Sequence, residues 1–598
     1  MSQSAVANFT PEGPSAGLRG NPEDDTDLVP LPMNNLYNLA DPNNSRLIRV
    51  DPADVNGPDL ISQGVLSLPE AEFLFAHYRD HINPLLWDGM LCSHTTLHDA
   101  RQSSSLLVAV VLTVAALHIP NREPSLRATY GAFVSLMRGS CLLRCQNLDI
   151  VRALCIGAFY LTSLSWALCS RAVRVATEMN LHKSSLQFAR GSLESYERVR
   201  LWYVLYVCDH QFALAYGRPP LMHEDAAIRN AEKLLTSGLS SKGDHGLVAQ
   251  VKLFRILASA YFMYGCDADL ELGGQDFERL QEFNLSADQW RLEHQSKESV
   301  SSSSARDSRD ASLIPPRATA LYYHLARFQL NSVSLRGISA RGSSSSQEPS
   351  LDMNWDRQEA SNTAITAAMS TARLIIDDTN LQKALIGLPI FTHAMIAVCA
   401  SFLLKMAVVF GEPDPGSSRN NGSGNTTLLL PRDLIQWGLN FHTKTALNLV
   451  QRLVQVLGQV ADNASHRHVA RQVVTGLGEL LQRFGAGRDA DSFVYTPPRG
   501  VRDLTLTVSG ANGPQRPLLV SGTERDAAIQ RDDSGSGTVE QPAYYAGVSE
   551  NAPASDMLQT STINNQQDPF DLTGDLDWRF DDGFLWGIDA IDSEIPFL

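Results

Sequence analysis

No Cys-x-x-Cys pair occurs anywhere in these 598 residues, and the first of only eight cysteines is Cys92. A cluster of two metal ions shares closely spaced, paired thiolates, so this sequence supplies none. The chain also lacks the phosphate loop G-x-x-x-x-G-K, a G-x-G-x-x-G turn after a strand and a G-x-S-x-G nucleophile elbow, which leaves nucleotide and acyl-transfer chemistry without a motif. Gly476-Leu477-Gly478 lies in a helical block and has no third glycine. The first residues are polar, with Pro and Gly and no apolar core, so no secretory signal peptide is expected. Cationic charge is scarce: 49 Lys and Arg face 65 Asp and Glu, for a formal net charge of −16. A chain with that balance does not wrap nucleic acid as a whole, and any DNA contact would need a small local basic module.

The cysteines that are present, Cys92, Cys141, Cys145, Cys155, Cys169, Cys208, Cys266 and Cys399, fall mostly in apolar helical runs. They read as reduced, buried thiols of an intracellular protein. Cys141 and Cys145 share a helix face but have no partner pair. His94 and His98 are four apart with Cys92 nearby, and without a third local ligand they read as capping or surface residues rather than a metal site. His466-Arg467-His468 is expected to be a solvated loop or helix start. No constellation supports enzymatic turnover.

The pattern of order predicts an all-α protein with one long helical region and disordered flanks. Residues 1–64 are acidic, rich in Pro and Asn, without sustained periodicity. Ser67-Leu68-Pro69-Glu70 is a helix-start signal that opens a helical region expected over 65–488. Ser-rich stretches near 297–312 and 341–350, and a Gly/Asn/Ser stretch at 411–427, read as solvated insertions. The last helical block, Asp433 to Phe484, carries Leu447, Val450, Leu453, Val454 and Leu457 at helical spacing. Two apolar runs, Ser103 to Ile119 and Ala384 to Leu404, are long enough to suggest membrane spans. Pro389, Thr392, His393 and Ser401 inside the second, and the lack of an aromatic belt, favour core helices and no membrane.

The most informative stretch is Ser163 to Pro220. Leu164, Leu168, Arg171 or Ala172, Val175 and Met179 recur at helical spacing, so one stripe should face a core, and Asn180 follows where a helix often turns left-handed. A second helix is predicted from about Leu193 to Tyr216, apolar around most of its circumference, with Leu201, Leu205, Cys208, Phe212 and Ala215 on one side and Trp202, Tyr206 and Asp209 on the next. Gly217 is placed to end it, and Pro219-Pro220 cannot continue it. Asp209 among apolar neighbours would be costly to bury alone, which points to a cationic partner, Arg174 or Arg218. These residues either hold two packed helices together or contact a ligand.

In order and spacing, the two segments resemble the middle homology region of the fungal-specific zinc-cluster transcription factors. An Ala-x-Arg-x-Ala helix runs from Ser165-Trp166 through Arg174 and closes on Leu181-His182. An Arg-x-Trp helix follows, with Arg200, Trp202 and Asp209, closing on Gly217-Arg218-Pro219. His81-Ile82-Asn83-Pro84-Leu85-Leu86, His94-Thr95 and Ser103-Ser104-Ser105-Leu106-Leu107 resemble the start of the same regulatory domain, and the resemblance covers roughly residues 65–480. It implies a nuclear regulator of metabolic genes, acting on the RNA polymerase II machinery and able to form a homo- or heterodimer. The family's zinc cofactor is also implied, but its ligand cysteines are absent here, as are the usual basic linker and coiled coil. Either a zinc-cluster exon lies upstream of this gene model, or the regulator has lost that module. DNA would then be reached only through such a module or through a partner. The competing class is a non-DNA-binding cofactor or dominant-negative partner built on the same helical domain.

The C-terminal region, 489–598, reads as a disordered tail that carries a second signal. From Asp568 to Leu598, Asp571, Asp575, Asp577, Asp581, Asp582, Asp589, Asp592 and Glu594 alternate with apolar residues that include Trp578, Phe580, Phe584 and Trp586, and only Arg579 opposes the charge. Mutual repulsion keeps such a segment extended and its aromatics available to a partner groove. That is the composition of an acidic activation segment for coactivators. The competing reading is that the segment packs back on the helical domain.

Overall fold

A computed structural model describes residues 59–140, 147–188, 192–265, 272–304, 318–336, 355–409 and 438–486. Among them there are helices and turns and no strand, as the periodicity predicts. Helix α1 spans Leu68–His77 with Pro69 in its first turn and Ser67 preceding it. Before α1, Leu60 is buried and Asp59 pairs with Arg101 at 2.6 Å.

Next come α2 (Leu97–Ser103), α3 (Ser105–His118), α4 (Glu123–Ser140), α5 (Leu148–Tyr160) and α6 (Ser165–Glu178), with α3 packed against α2, α4 and α5, and α5 against α6. The apolar run at 103–119 is α3, buried along its whole length, so it is a core helix. A short α7 (Ser184–Phe188) leads to α8 (Leu193–Ala215), a turn carrying α9 (Ala226–Arg229), and α10 (Lys242–Tyr264). Gly243, in the first turn of α10, lies so close to the Trp87 carbonyl that any Cβ would collide with backbone there.

Helix α11 (Gly274–Ser304) runs on through Ser299–Ser304, which the sequence assigns to a solvated insertion. Extending a formed helix by one turn is far easier than starting one, so a Ser-rich end can stay helical. Helices α12 (Ala318–Ser332) and α13 (Trp355–Asp377) pack along each other, and α14 (Thr379–Leu385) and α15 (Ile390–Val409) follow. The expected continuous run from 384 to 404 is divided between α14 and α15, because Pro389 cannot donate to a continuing ladder. Ile390–Ala407 is long and apolar enough to cross a membrane, as is α10, yet 94% of it is buried among α13, α16, α17 and α8. The last block is two helices, α16 (Thr443–Ala461) and α17 (Val469–Ala486), whose intervening turn is pinned where Ser465 N–H donates to the Leu117 carbonyl at 3.2 Å. Leu447, Val450, Leu453, Val454 and Leu457 are all buried, as their spacing predicts.

The insertions at 341–350 and 411–427, residues 1–58 of the N-terminal segment, and the tail with Trp578, Phe580, Phe584 and Trp586 lie outside the described residues.

Candidate functional site

Helix α8 is the centre of the site. Ser192 precedes it and accepts the Ser195 N–H at 3.4 Å, and nearly every side chain from Ser195 to Leu214 is buried. At its far end Gly217 has φ +59°, and Arg218 N–H closes the turn on the Ala213 carbonyl at 2.8 Å. Helix α6 ends similarly: Asn180 has φ +57°, the left-handed turn expected of it. The α6 face that packs inward carries Leu168, Cys169, Ala172, Val175 and Ala176.

The motif residues divide into four settings. Trp202 is buried, donates its indole N–H to Asp225 at 3.0 Å, and has the His182 ring 5.9 Å away, so the Leu-His end of α6 meets the Arg-x-Trp helix here. Trp166 and Tyr216 meet edge to face, and the exposed Arg218 guanidinium covers both, at 4.9 and 5.3 Å from the ring centres. Pro219 is exposed beside it. Arg174 points to solvent, 73% exposed, and bonds Glu178 one turn on.

Asp209 therefore has neither of the expected cationic partners. It is 2% exposed and accepts the Met222 N–H at 2.7 Å, with the Leu221 N–H as a second donor. Two backbone donors satisfy a carboxylate's lone pairs without a guanidinium, and they tie the loop after Pro220 back onto α8. Burial outweighs them and pushes the Asp209 carboxyl up to about 6.

Among the motif arginines the buried one is Arg200, within a ladder of alternating charge that crosses three helices. His94 Nε2 lies 2.7 Å from Asp149, whose other oxygen accepts from Arg152 at 2.7 Å. Ser103 also donates to Asp149. Arg152 reaches from α5 to Glu197 on α8 at 2.8 Å, and Glu197 pairs with Arg200 at 2.8 Å. Arg200 in turn bonds Asp244 on α10 at 2.7 Å. Asp244 is 0% exposed on its side chain and accepts from Tyr196 at 2.6 Å and from the Ser241 N–H at 2.7 Å, closing the start of α10. Asp149, Arg152, Glu197 and Asp244 are absent from the sequence-level site, although Asp149/Arg152 and Glu197/Arg200 have the (i, i+3) spacing of helix pairs, and Ser241-x-x-Asp244 that of a capping motif.

A second polar cluster was also not anticipated. His468, expected in a solvated loop or at a helix start, does stand at the start of α17 but is buried there, 4.7 Å from the His118 ring and 5.7 Å from the His393 ring. His468 Nδ1 accepts the Ala470 N–H at 3.1 Å, a helix-capping role that holds the ring inside, while its neighbours His466 and Arg467 pair with Glu123 at the surface. Burial drives His118 and His393 down to about 4, and His468 well below its ordinary value.

The zinc implied by the resemblance does not fit these cysteines. Cys92, Cys155, Cys169, Cys208 and Cys399 are free and buried on separate helices or turns. Burial raises the Cys92 thiol to about 11 and Cys399 to about 12, against the thiolate that zinc requires. Among the described residues no group of three His, Cys, Asp or Glu is placed to hold a metal. His94 is engaged by Asp149, and His98 by Gln102 at 2.9 Å.

The profile of the fungal specific transcription factor domain matches residues 73–227, which contain α8 and all of the ladder except Asp244. The Transcriptional activator of proteases prtT of Emericella nidulans is 40% identical over 513 residues, spanning 85% of this chain and 73% of that protein. No solved structure matches the chain. On this similarity the chain belongs to the fungal-specific transcription factor family and is a regulator of transcription.

Proposed function

We propose that this chain is a nuclear transcriptional activator of metabolic genes, protease genes among them, in which the α1–α17 domain is regulatory and residues 568–598 engage coactivators. The similarity to a transcriptional activator of proteases carries the choice of sign and target class. The activation segment rests on its composition: nine acidic residues around Trp578, Phe580, Phe584 and Trp586, each of these aromatics able to bury a large apolar area in a coactivator groove. The family-motif residues Trp166, Arg174, Arg200, Trp202, Asp209, Gly217, Arg218 and Pro219 serve as the framework of the regulatory domain, because six of them pack or bond among α6, α8, α10 and the loops between them, while Arg174 pairs with Glu178 of its own helix and Pro219 is exposed. A non-DNA-binding cofactor or dominant-negative partner is the second reading, favoured by the cysteine inventory, since DNA contact would then come from another chain.

The test is a fusion of residues 568–598 to an unrelated DNA-binding module. It is expected to activate a reporter, and replacing the four aromatics with Ala to remove most of that activity. A silent fusion defeats the activation reading. Deleting the gene and measuring protease transcripts tests the target class, with unchanged transcripts as the contrary result.

A further inference from the structure

A groove of about 550 Å³ runs between α11, α12 and α13. Its chemistry is uneven. Arg291 from α11 and Arg327 from α12 stand on either side of His324, Thr366 and Ser370 present hydroxyls along α13, and Trp355 at the start of α13 is 72% exposed. Arg291 lies 4.6 Å over the Tyr323 ring, and Arg327 reaches Asp288 only at 3.4 Å. Glu359 lines the groove and Asp288, which accepts from Tyr323 at 2.5 Å, lies beside it, while burial first and then the two guanidiniums hold His324 down to about 4. Two guanidiniums, Arg291 and Arg327, thus line this groove in a chain whose net charge is −16.

The groove is open along its length. Residues 355–370 of α13 cover about 22 Å at 1.5 Å per residue, the span of about seven residues of extended peptide. An exposed indole at one end, paired guanidiniums and a row of hydroxyls suit an acidic peptide with aromatic side chains better than a compact metabolite. One segment of this chain has that chemistry: 575–598, with Asp575, Asp577, Asp581, Asp582, Asp589, Asp592 and Glu594 around Trp578, Phe580, Phe584 and Trp586. The 88 residues between the last described helix and this segment impose no limit on reach, since a chain of that length can extend well over about 200 Å.

We propose that the groove between α11, α12 and α13 receives the acidic-aromatic segment 575–598 of the same chain, Arg291 and Arg327 meeting its carboxylates and Trp355 its aromatic rings. The consequence, that the docked segment is withheld from coactivators, rests on the activation reading above; the docking itself does not.

The experiment uses the full chain with a benzophenone amino acid replacing Trp586, irradiated at low concentration and mapped by peptide mass. Cross-links are expected within 318–332 and 355–370. Arg291→Glu with Arg327→Glu should lower their yield about fivefold, whereas Arg291→Lys with Arg327→Lys keeps most of it. If the charge reversal disturbs the fold, Asp577→Asn, Asp581→Asn and Asp582→Asn must lower the yield from the tail side. Cross-links to other surfaces, cross-links only between chains, or a yield that neither set changes would overturn the proposal. A silent reporter fusion would defeat the activation reading and leave the cross-link map standing; an absent cross-link would do the reverse.

Discussion

The motif helices and the closing helices both bury polar groups, and they do so in opposite ways. Across α5, α8 and α10 the groups are ionised and paired in sequence, from Asp149 through Arg152, Glu197 and Arg200 to Asp244. Where α3, α15 and α17 meet, the groups are three histidines, and the Nε2 atoms of His118 and His393 are buried without a hydrogen-bond partner among the described residues. A charge out of water is tolerable only beside its counterpart, whereas an imidazole can shed its charge and stay. The ladder should thus depend on every rung, and the histidine cluster on pH.

The largest expected effect is on the ladder. Asp244→Ala orphans Arg200 on its inner side and removes the acceptor of Tyr196 and of the Ser241 N–H, so it should cost about 4 kcal/mol in denaturant unfolding of the full chain. Loss of apolar volume from α8, the helix that carries Arg200, gives the reference. Trp202→Ala should cost about 3 kcal/mol through the cavity and the freed Asp225. A smaller loss for Asp244→Ala than for Trp202→Ala would mean that water already reaches the ladder.

The histidines sharpen the contrast through acid. Their folded pKa lies below the unfolded value, so the stability they contribute is complete above about 6.5 and is lost as pH falls toward about 4. His77 beside His118 and Arg471 beside His468 add to the cost of a proton there. The loss should reach a few kcal/mol by pH 5, and His393→Phe should flatten the profile. Asp209 works in the opposite direction. Its folded pKa is raised to about 6, so folding gains stability as pH falls through 6 toward the unfolded value. Asp209→Asn should accordingly change stability by less than about 1 kcal/mol at pH 7, while Asp209→Ala, which leaves the Met222 N–H unpaired, should cost about 2 kcal/mol.

Much of this architecture was legible in the sequence because it depends on local signals. The stop at Gly217-Arg218-Pro219-Pro220, the left-handed Asn180, the helix start at Ser67-Leu68-Pro69 and the buried faces of α6, α8 and α16 all follow from backbone preference and period. The errors arise where distant segments decide. Asp209 was assigned a guanidinium because burial demands satisfaction, but spacing does not reveal that the backbone beyond Pro220 folds back to provide it. His468 looks like part of a basic loop because its neighbours are His466 and Arg467; only α3 and α15 make its site a core position. Asp244 lies 44 residues from Arg200, and no periodicity links them.

The central claim is that the family region is organised around a paired ionic ladder from α5 to α10, and a double-mutant cycle tests it most directly. Arg200→Met, Asp244→Asn and the double variant would be unfolded by denaturant at pH 7 in the full chain. A paired, desolvated rung predicts that the double variant is at least about 2 kcal/mol more stable than the sum of the single losses implies. Losses that simply add, within about 0.5 kcal/mol, would show that the two groups do not depend on each other and would contradict the account.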